Sequence, residues 1–115
     1  MSRDPSERYA DILAAIDRCE RYQARLADAD PLLAGMAYDA ILRNLAVIGE
    51  AVRALPSDVK LRSPTTPWPN IAGLRNIVVH EYFRVDHDLI ADIVQNELEP
   101  LASAIRQLCT DEPSR

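Results

Sequence analysis

The sequence predicts an all-α protein, a small antiparallel bundle of four to five helices. Apolar residues recur at helical spacing in several long segments, and no segment shows the alternation that is typical of a strand. Prolines and small polar residues concentrate between these segments, where they interrupt the helical pattern. With 115 residues, the chain is expected to form a single domain, residues 1–115, around one modest core.

The first predicted helix covers Ser6 to Ala27, with Ser6 as its cap and one apolar face. The second covers Pro31 to Leu55, with Asp30 as N-cap and Pro31 at the first helical position. Because the second helix is apolar on more than one face, it must be covered on more than one side. We therefore expect a partner subunit on the spare face, and hence a homodimer.

Gly49 of the second helix is predicted to let another backbone approach closely, since it carries no side chain. Glu50 follows it and would lie near that contact. Taken alone, Glu50 is equally well explained as a solvated or cap-pairing carboxylate.

Residues Leu55 to Pro69 contain four prolines and are predicted to form a loop without helix or strand. Trp68 is expected to anchor this loop to the core, with stacking on a nucleic-acid base as the alternative. A third helix is predicted from about Pro69 to Glu81.

The last predicted helix begins at His87, after Asp86 as N-cap, and ends near Cys109. Pro100 should bend this helix or split it in two. Residues 110–115 are expected to form a frayed tail. His87 is interpreted as a surface or cap residue, because it stands beside two aspartates.

The charge balance argues against broad, nonspecific binding to nucleic acid. The net charge is −5 and the pI is near 4.9, whereas such binding needs a dominant basic field. Any RNA contact must therefore be local, and the basic residues suit this because all but Lys60 are arginines, whose forked donors match phosphate oxygens. A small helical DNA-binding regulator is disfavoured for the same reason.

Location and redox state follow from composition. No membrane-spanning run and no signal peptide is predicted, so the expected location is the cytoplasm, with no membrane partner. Cys19 and Cys109 are expected to be buried free thiols, because neither has a second ligand at a zinc-binding spacing. No metal or other cofactor is predicted.

The most informative stretch is Gly73 to Tyr82, which places Arg75, Asn76, His80 and Tyr82 in an apolar helical pattern. At about 100° per residue, Arg75 and Tyr82 lie within about 20° of each other, while His80 points about 140° away from Arg75. One straight helix cannot direct all three side chains to a common point. Either the helix ends near His80, or a second copy of the chain completes the site.

An arginine followed by four residues, a histidine, one residue and a tyrosine, after the lead-in Trp68-Pro69-Asn70, resembles the HepT-like toxins of the HEPN superfamily of helical ribonucleases. The likeness extends upstream to Ile48-Gly49-Glu50-Ala51 and downstream to Val85-Asp86, and so covers nearly the whole chain. Ala91 departs from the aromatic residue that the resemblance leads us to expect nearby, which bears on packing and not on chemistry.

Arg75, Asn76 and His80 are the predicted catalytic residues. RNA can be cut without a metal if its 2′-hydroxyl attacks the adjacent phosphodiester, which requires a base, an acid and positive charge on the phosphorane. His80 suits proton transfer, Arg75 suits a bidentate grip on phosphate, and Asn76 could donate to phosphate or orient the histidine. A symmetric dimer would bring two copies of each to one cleft.

The resemblance implies a type VII toxin–antitoxin system. It implies a site formed across the homodimer, with Glu50 near the seam between subunits. It further implies that Tyr82 is the residue to which a cognate minimal nucleotidyltransferase antitoxin, of the MntA type, adds AMP. A bulky anionic group beside Arg75 and His80 would exclude RNA from the phosphate site. The alternative is a non-catalytic helical module that binds a nucleotidyltransferase subunit.

Overall fold

The structure is a computed structural model that describes residues 4–76 and 87–111, with only the backbone described at His87. Within these residues the chain forms helices and no strand, which confirms the predicted all-α class. Four helices are long, and two consist of little more than one turn. They are α1 (Pro5–Gln23), α2 (Pro31–Arg53), α3 (Ser57–Leu61), α4 (Trp68–Ala72), α5 (His87–Asn96) and α6 (Leu98–Asp111).

The core lies between α1, α2 and the two last helices. Helices α1 and α2 form an antiparallel hairpin with the largest interface among the described elements, and α6 also packs on α1. The apolar stripes predicted from the sequence are the surfaces that become buried, because a helix gains most by removing its apolar face from water. Fully buried side chains include Tyr9, Ile12, Ile41, Ile48, Leu101 and Ile105.

The start of α2 confirms its predicted cap, whereas the start of α1 does not. The Asp30 carboxylate accepts a hydrogen bond of 2.9 Å from the backbone N–H of Leu32. At α1, Asp4 and not Ser6 is the N-cap: its Oδ1 accepts from both the backbone N–H and the hydroxyl of Ser6, at 2.9 Å each. Pro5 explains the difference, since its fixed φ favours the first helical position directly after Asp4.

Helix α2 is long and apolar enough, by length and composition alone, to cross a membrane. The sequence predicted no membrane-spanning run, so α2 departs from that prediction by this criterion. The core helix of a soluble protein meets the same criterion, and α2 buries Ile41, Leu45, Ile48 and Val52 within the bundle.

The proline-rich connection contains more helix than predicted. Ser57–Leu61 forms α3 after Pro56, so the prediction of a helix-free loop from Leu55 to Pro69 was wrong there. The reason is that Pro56 precedes the helix, where a missing N–H costs nothing, and that Val59 is buried on the core. The predicted third helix is interrupted by a turn at Gly73 and is helical again at residues 74–76, while the rest of its predicted length, to Glu81, lies outside the described residues.

The C-terminal helical segment is split, as predicted. A turn at Glu97 separates α5 from α6, and Pro100 lies in the first turn of α6, where proline is tolerated. Helix α6 continues to Asp111, so Thr110 and Asp111 belong to the helix and not to a tail. The predicted cap Asp86 lies outside the described residues.

The two cysteines have different environments. Cys19 is fully buried and its burial raises the pKa of its thiol to about 12, so it stays protonated at neutral pH. Cys109 is exposed on α6, which contradicts the prediction that both thiols are buried. Cys109 lies in the last turn of α6, which ends at Asp111.

Candidate functional site

Arg75 stands at the surface in an ion pair with Glu50 of α2. The Nε atom of Arg75 lies 2.6 Å from Oε1 of Glu50. The two side chains are 49% and 51% exposed, so the pair is reachable from solvent. A guanidinium has five N–H donors, and one carboxylate cannot occupy all of them. Arg75 is therefore held in position and can still bind a further anion.

Gly49 explains why the two charged residues meet. A Cβ atom added at Gly49 would lie 3.0 Å from the backbone nitrogen of Arg75 and 3.2 Å from the backbone oxygen of Ala72. The missing side chain thus lets residues 71–75 lie directly against α2. The close approach of another backbone predicted at Gly49 is thus confirmed, and the backbone in contact is the chain's own.

Trp68 fixes the segment that carries Arg75. It is 7% exposed, and its Nε1–H donates to the backbone oxygens of Lys60 at 3.1 Å and Ser63 at 3.0 Å. Ile71 and Leu74 are buried in the same core cluster as Trp68 and complete the attachment. The predicted anchoring role is confirmed, and the buried ring is not available to stack on a base.

Asn76 is exposed beside Arg75, and its backbone N–H donates to the oxygen of Gly73 at 3.0 Å. The structure thus places two of the predicted catalytic residues, Arg75 and Asn76, together at the surface, with Glu50 against the arginine. His80 and Tyr82 lie outside the described residues, so their predicted roles stay predictions.

Two further arginines lie near Glu50, and neither was predicted from the sequence. Arg8 of α1 and Arg43 of α2 line a surface cavity of about 610 Å³ that Glu50 also lines. No motif could have indicated them, because they belong to different helices and come together through the antiparallel pairing of α1 with α2.

Within the described ranges, 4–76 and 87–111, no group of three or more His, Cys, Asp or Glu side chains could hold a metal ion. That the chemistry needs no metal ion stays a prediction.

A family model and a relative that matches nearly the whole chain indicate the same protein family. A family model described as “Ribonuclease HepT-like” matches residues 12–108. A protein named “Probable ribonuclease HepT” from Thermococcus cleftensis is 30% identical over 108 residues, which cover 94% of this chain and 98% of the relative. No solved structure was found to match the chain.

Other curated relatives match over shorter stretches. A “Putative RNase” from Methanocaldococcus jannaschii is 39% identical over 72 residues, 63% of this chain and 60% of the relative. Another protein so described, from Caldanaerobacter subterraneus, is 34% identical over 73 residues, 64% of this chain and 65% of the relative. The chain thus spans less than two thirds of the length of these two relatives.

Proposed function

Because this chain belongs to the ribonuclease HepT-like family, we propose that it is an endoribonuclease toxin that cuts RNA without a metal ion. The observation that carries the proposal is the half-exposed guanidinium of Arg75, held by Glu50 at 2.6 Å. A pre-positioned arginine stabilises a phosphorane more effectively than a mobile one, because it needs no reorganisation as charge develops.

In the proposed reaction the RNA 2′-hydroxyl attacks its own phosphorus while a base takes its proton. The bond to the 5′-oxygen breaks, and an acid protonates that oxygen, which leaves a 2′,3′-cyclic phosphate and a 5′-hydroxyl. His80 is assigned the proton transfers, because imidazole exchanges protons near neutral pH. Arg75 and Asn76 bind the phosphate oxygens, and Glu50 is a positioning residue that acts through Arg75.

The proposed active form is a homodimer in the cytoplasm. The angular spacing of Arg75 and His80 supports it, because one straight helix cannot direct both side chains to one phosphate. A second support is the exposure of apolar residues near the start of α2, where Leu32 is 69%, Leu33 43% and Met36 59% exposed. Such a surface favours association with another protein surface.

The decisive experiment is RNA cleavage in EDTA. We expect the wild-type protein to produce 2′,3′-cyclic phosphate ends, and Arg75→Ala and His80→Ala each to lower kcat by about 100-fold or more. Arg106→Ala is the matched control, because Arg106 is a surface arginine on α6 that also pairs with a glutamate, Glu99. This control should cleave normally.

Intact RNA in all samples, together with tight binding of the protein to a nucleotidyltransferase, would instead identify the non-catalytic helical module. Cleavage that EDTA abolishes would contradict the metal-independent mechanism.

Regulation by a type VII antitoxin is the second part of the proposal. A cognate minimal nucleotidyltransferase of the MntA type would transfer AMP from ATP to the Tyr82 hydroxyl, releasing pyrophosphate. The added phosphate would compete with RNA for Arg75. Intact mass spectrometry of the protein co-expressed with its neighbouring nucleotidyltransferase should show about 329 Da per AMP added, which equals the mass of AMP less one water. The increment should be absent in Tyr82→Phe, and its persistence there would exclude Tyr82 as the acceptor.

A further inference from the structure

A continuous groove runs along the outer surface of the α1–α2 hairpin. One end is the cavity of about 610 Å³ that Arg8, Arg43 and Glu50 line. A second cavity of about 390 Å³ adjoins it and is lined by Arg18, Tyr22 and Arg43. Arg43 and Val47 line both cavities, so the two form one surface feature, which we call the hairpin groove.

The arginines of the hairpin groove differ from others on the surface. Among the ion pairs of the described residues, none includes Arg8, Arg18 or Arg43. By contrast, three other surface arginines pair with carboxylates at 3.1 to 3.3 Å. These are Arg21 with Asp17, Arg25 with Asp28, and Arg106 with Glu99. The groove arginines are therefore available to an external anion.

The local charge of the groove is opposite to that of the molecule. Three arginines and two carboxylates, Asp11 and Glu50, line it, which gives +1 where the whole chain carries −5. Glu50 is in addition paired with Arg75. A polyanion would be repelled by most of the surface and attracted here, because the field of the surrounding acidic residues confines it to the groove.

The groove leads to the proposed catalytic arginine. Glu50 lines its 610 Å³ cavity and contacts Arg75 through its own carboxylate. From Arg8 to Arg18 the groove extends about 15 Å along α1, since a helix rises about 1.5 Å per residue. That length accommodates several consecutive phosphates of one strand. The half-buried ring of Tyr22 at the far end offers an aromatic surface for a base.

We propose that the hairpin groove binds the phosphate backbone of single-stranded RNA, through Arg8, Arg43 and Arg18, as the strand leads away from the phosphate held at Arg75. This inference rests on the proposed ribonuclease function and adds where the substrate lies. A second copy of the chain is a poorer occupant, because a two-fold interface centred on the groove would bring six arginines against four carboxylates with no phosphate between them.

The test compares two triple variants of equal charge. The groove variant carries Arg8→Gln, Arg18→Gln and Arg43→Gln, and the control carries Arg21→Gln, Arg25→Gln and Arg106→Gln. Binding is measured by fluorescence anisotropy with a labelled 2′-O-methyl RNA of about 12 nucleotides, which lacks the nucleophile and is not cut. We expect the groove variant to lose affinity by about tenfold or more, and its log–log salt slope to fall by about 2, as three fewer phosphate contacts predict for a single strand.

Equal losses of affinity in the two variants would overturn the proposal, because the effect would then be one of net charge. A loss of the homodimer in the groove variant, measured by light scattering, would also overturn it and would identify the groove as an interface between copies. Circular dichroism of both variants verifies that the fold is retained.

Cleavage assays separate this inference from the proposed function. With a long RNA, the groove variant should show a raised KM and a retained kcat, because Arg75 is unchanged. If the wild-type protein binds RNA through the groove and cuts nothing, the ribonuclease proposal fails and the groove stands. If the wild-type protein cuts RNA and the groove variant cuts it equally well, the groove proposal fails alone.

Discussion

Gly49 and Glu50 are adjacent residues with separate tasks at the candidate site. Gly49 is buried and admits the backbone of residues 71–75, whereas Glu50 is half-exposed and pairs with the arginine that this segment carries. The sequence predicted both a close approach at Gly49 and a role for Glu50 beside it. It could not identify the approaching backbone, because a glycine in an apolar helix shows that space is needed and not what fills it.

Substituting Gly49 tests the contact at single-residue scale, and Gly35 of the same helix is the control. In Gly49→Ala the new Cβ would meet the backbone nitrogen of Arg75 at 3.0 Å, which no side-chain rotation can relieve. We expect a loss of about 1–3 kcal/mol in the free energy of unfolding, together with cleavage reduced by about tenfold or more as the Glu50–Arg75 pair is displaced.

Gly35→Ala should have the opposite effect. A Cβ at Gly35 meets nothing within 4 Å, so the higher helix propensity of alanine should raise stability by up to about 1 kcal/mol with cleavage unchanged. Urea unfolding followed by circular dichroism measures both variants. If the two substitutions had equal effects, the close approach at Gly49 would have no energetic role.

At the scale of elements, the long helices were predictable and the short ones were not. The apolar periodicity of α1, α2 and α6 extends over many turns, so it reports their burial directly. Helix α3 has five residues, too few to show a period, and it owes its existence to the packing of Val59 on the core. Tertiary contacts decide whether such a short segment is helical, and the sequence pattern does not reveal those contacts.

The connection between α2 and α4 shows the same limit. Its proline content indicated an ordered loop, and Trp68 was identified as its anchor. The indole N–H donates to two backbone oxygens, those of Lys60 and Ser63. Every residue has a backbone oxygen, so the sequence cannot indicate which ones accept. The anchor was therefore predictable from residue type, while the geometry that sets the position of Arg75 was not.

The hairpin groove could not be predicted for a related reason. Arg8, Arg18 and Arg43 are scattered in the sequence, and only the antiparallel register of α1 and α2 aligns them. The sequence did predict that any RNA contact would be local and arginine-lined, because a net charge of −5 excludes a broad basic surface. Composition thus predicted the kind of contact, and the hairpin groove is the place that we propose for it.

At the scale of the whole molecule, the proposed site requires two chains, and this requirement makes activity depend on concentration. A composite site exists only in the dimer, so specific activity should fall when the protein is diluted below the dissociation constant of the dimer. Light scattering should report a mass of about 26 kDa, twice the 12.9 kDa of one chain, at concentrations where cleavage is full. At lower concentrations the dimer fraction and the specific activity should decrease together.

The dependence of specific activity on concentration needs a control variant that loses catalysis and keeps the dimer. Arg75→Ala serves this purpose, because the arginine is half-exposed and its loss leaves the bundle core intact. It should show the same dimer fraction at every concentration and little cleavage at any. A wild-type protein that stays monomeric at about 13 kDa and cuts RNA at constant specific activity would contradict the composite site, since one chain would then hold every catalytic group.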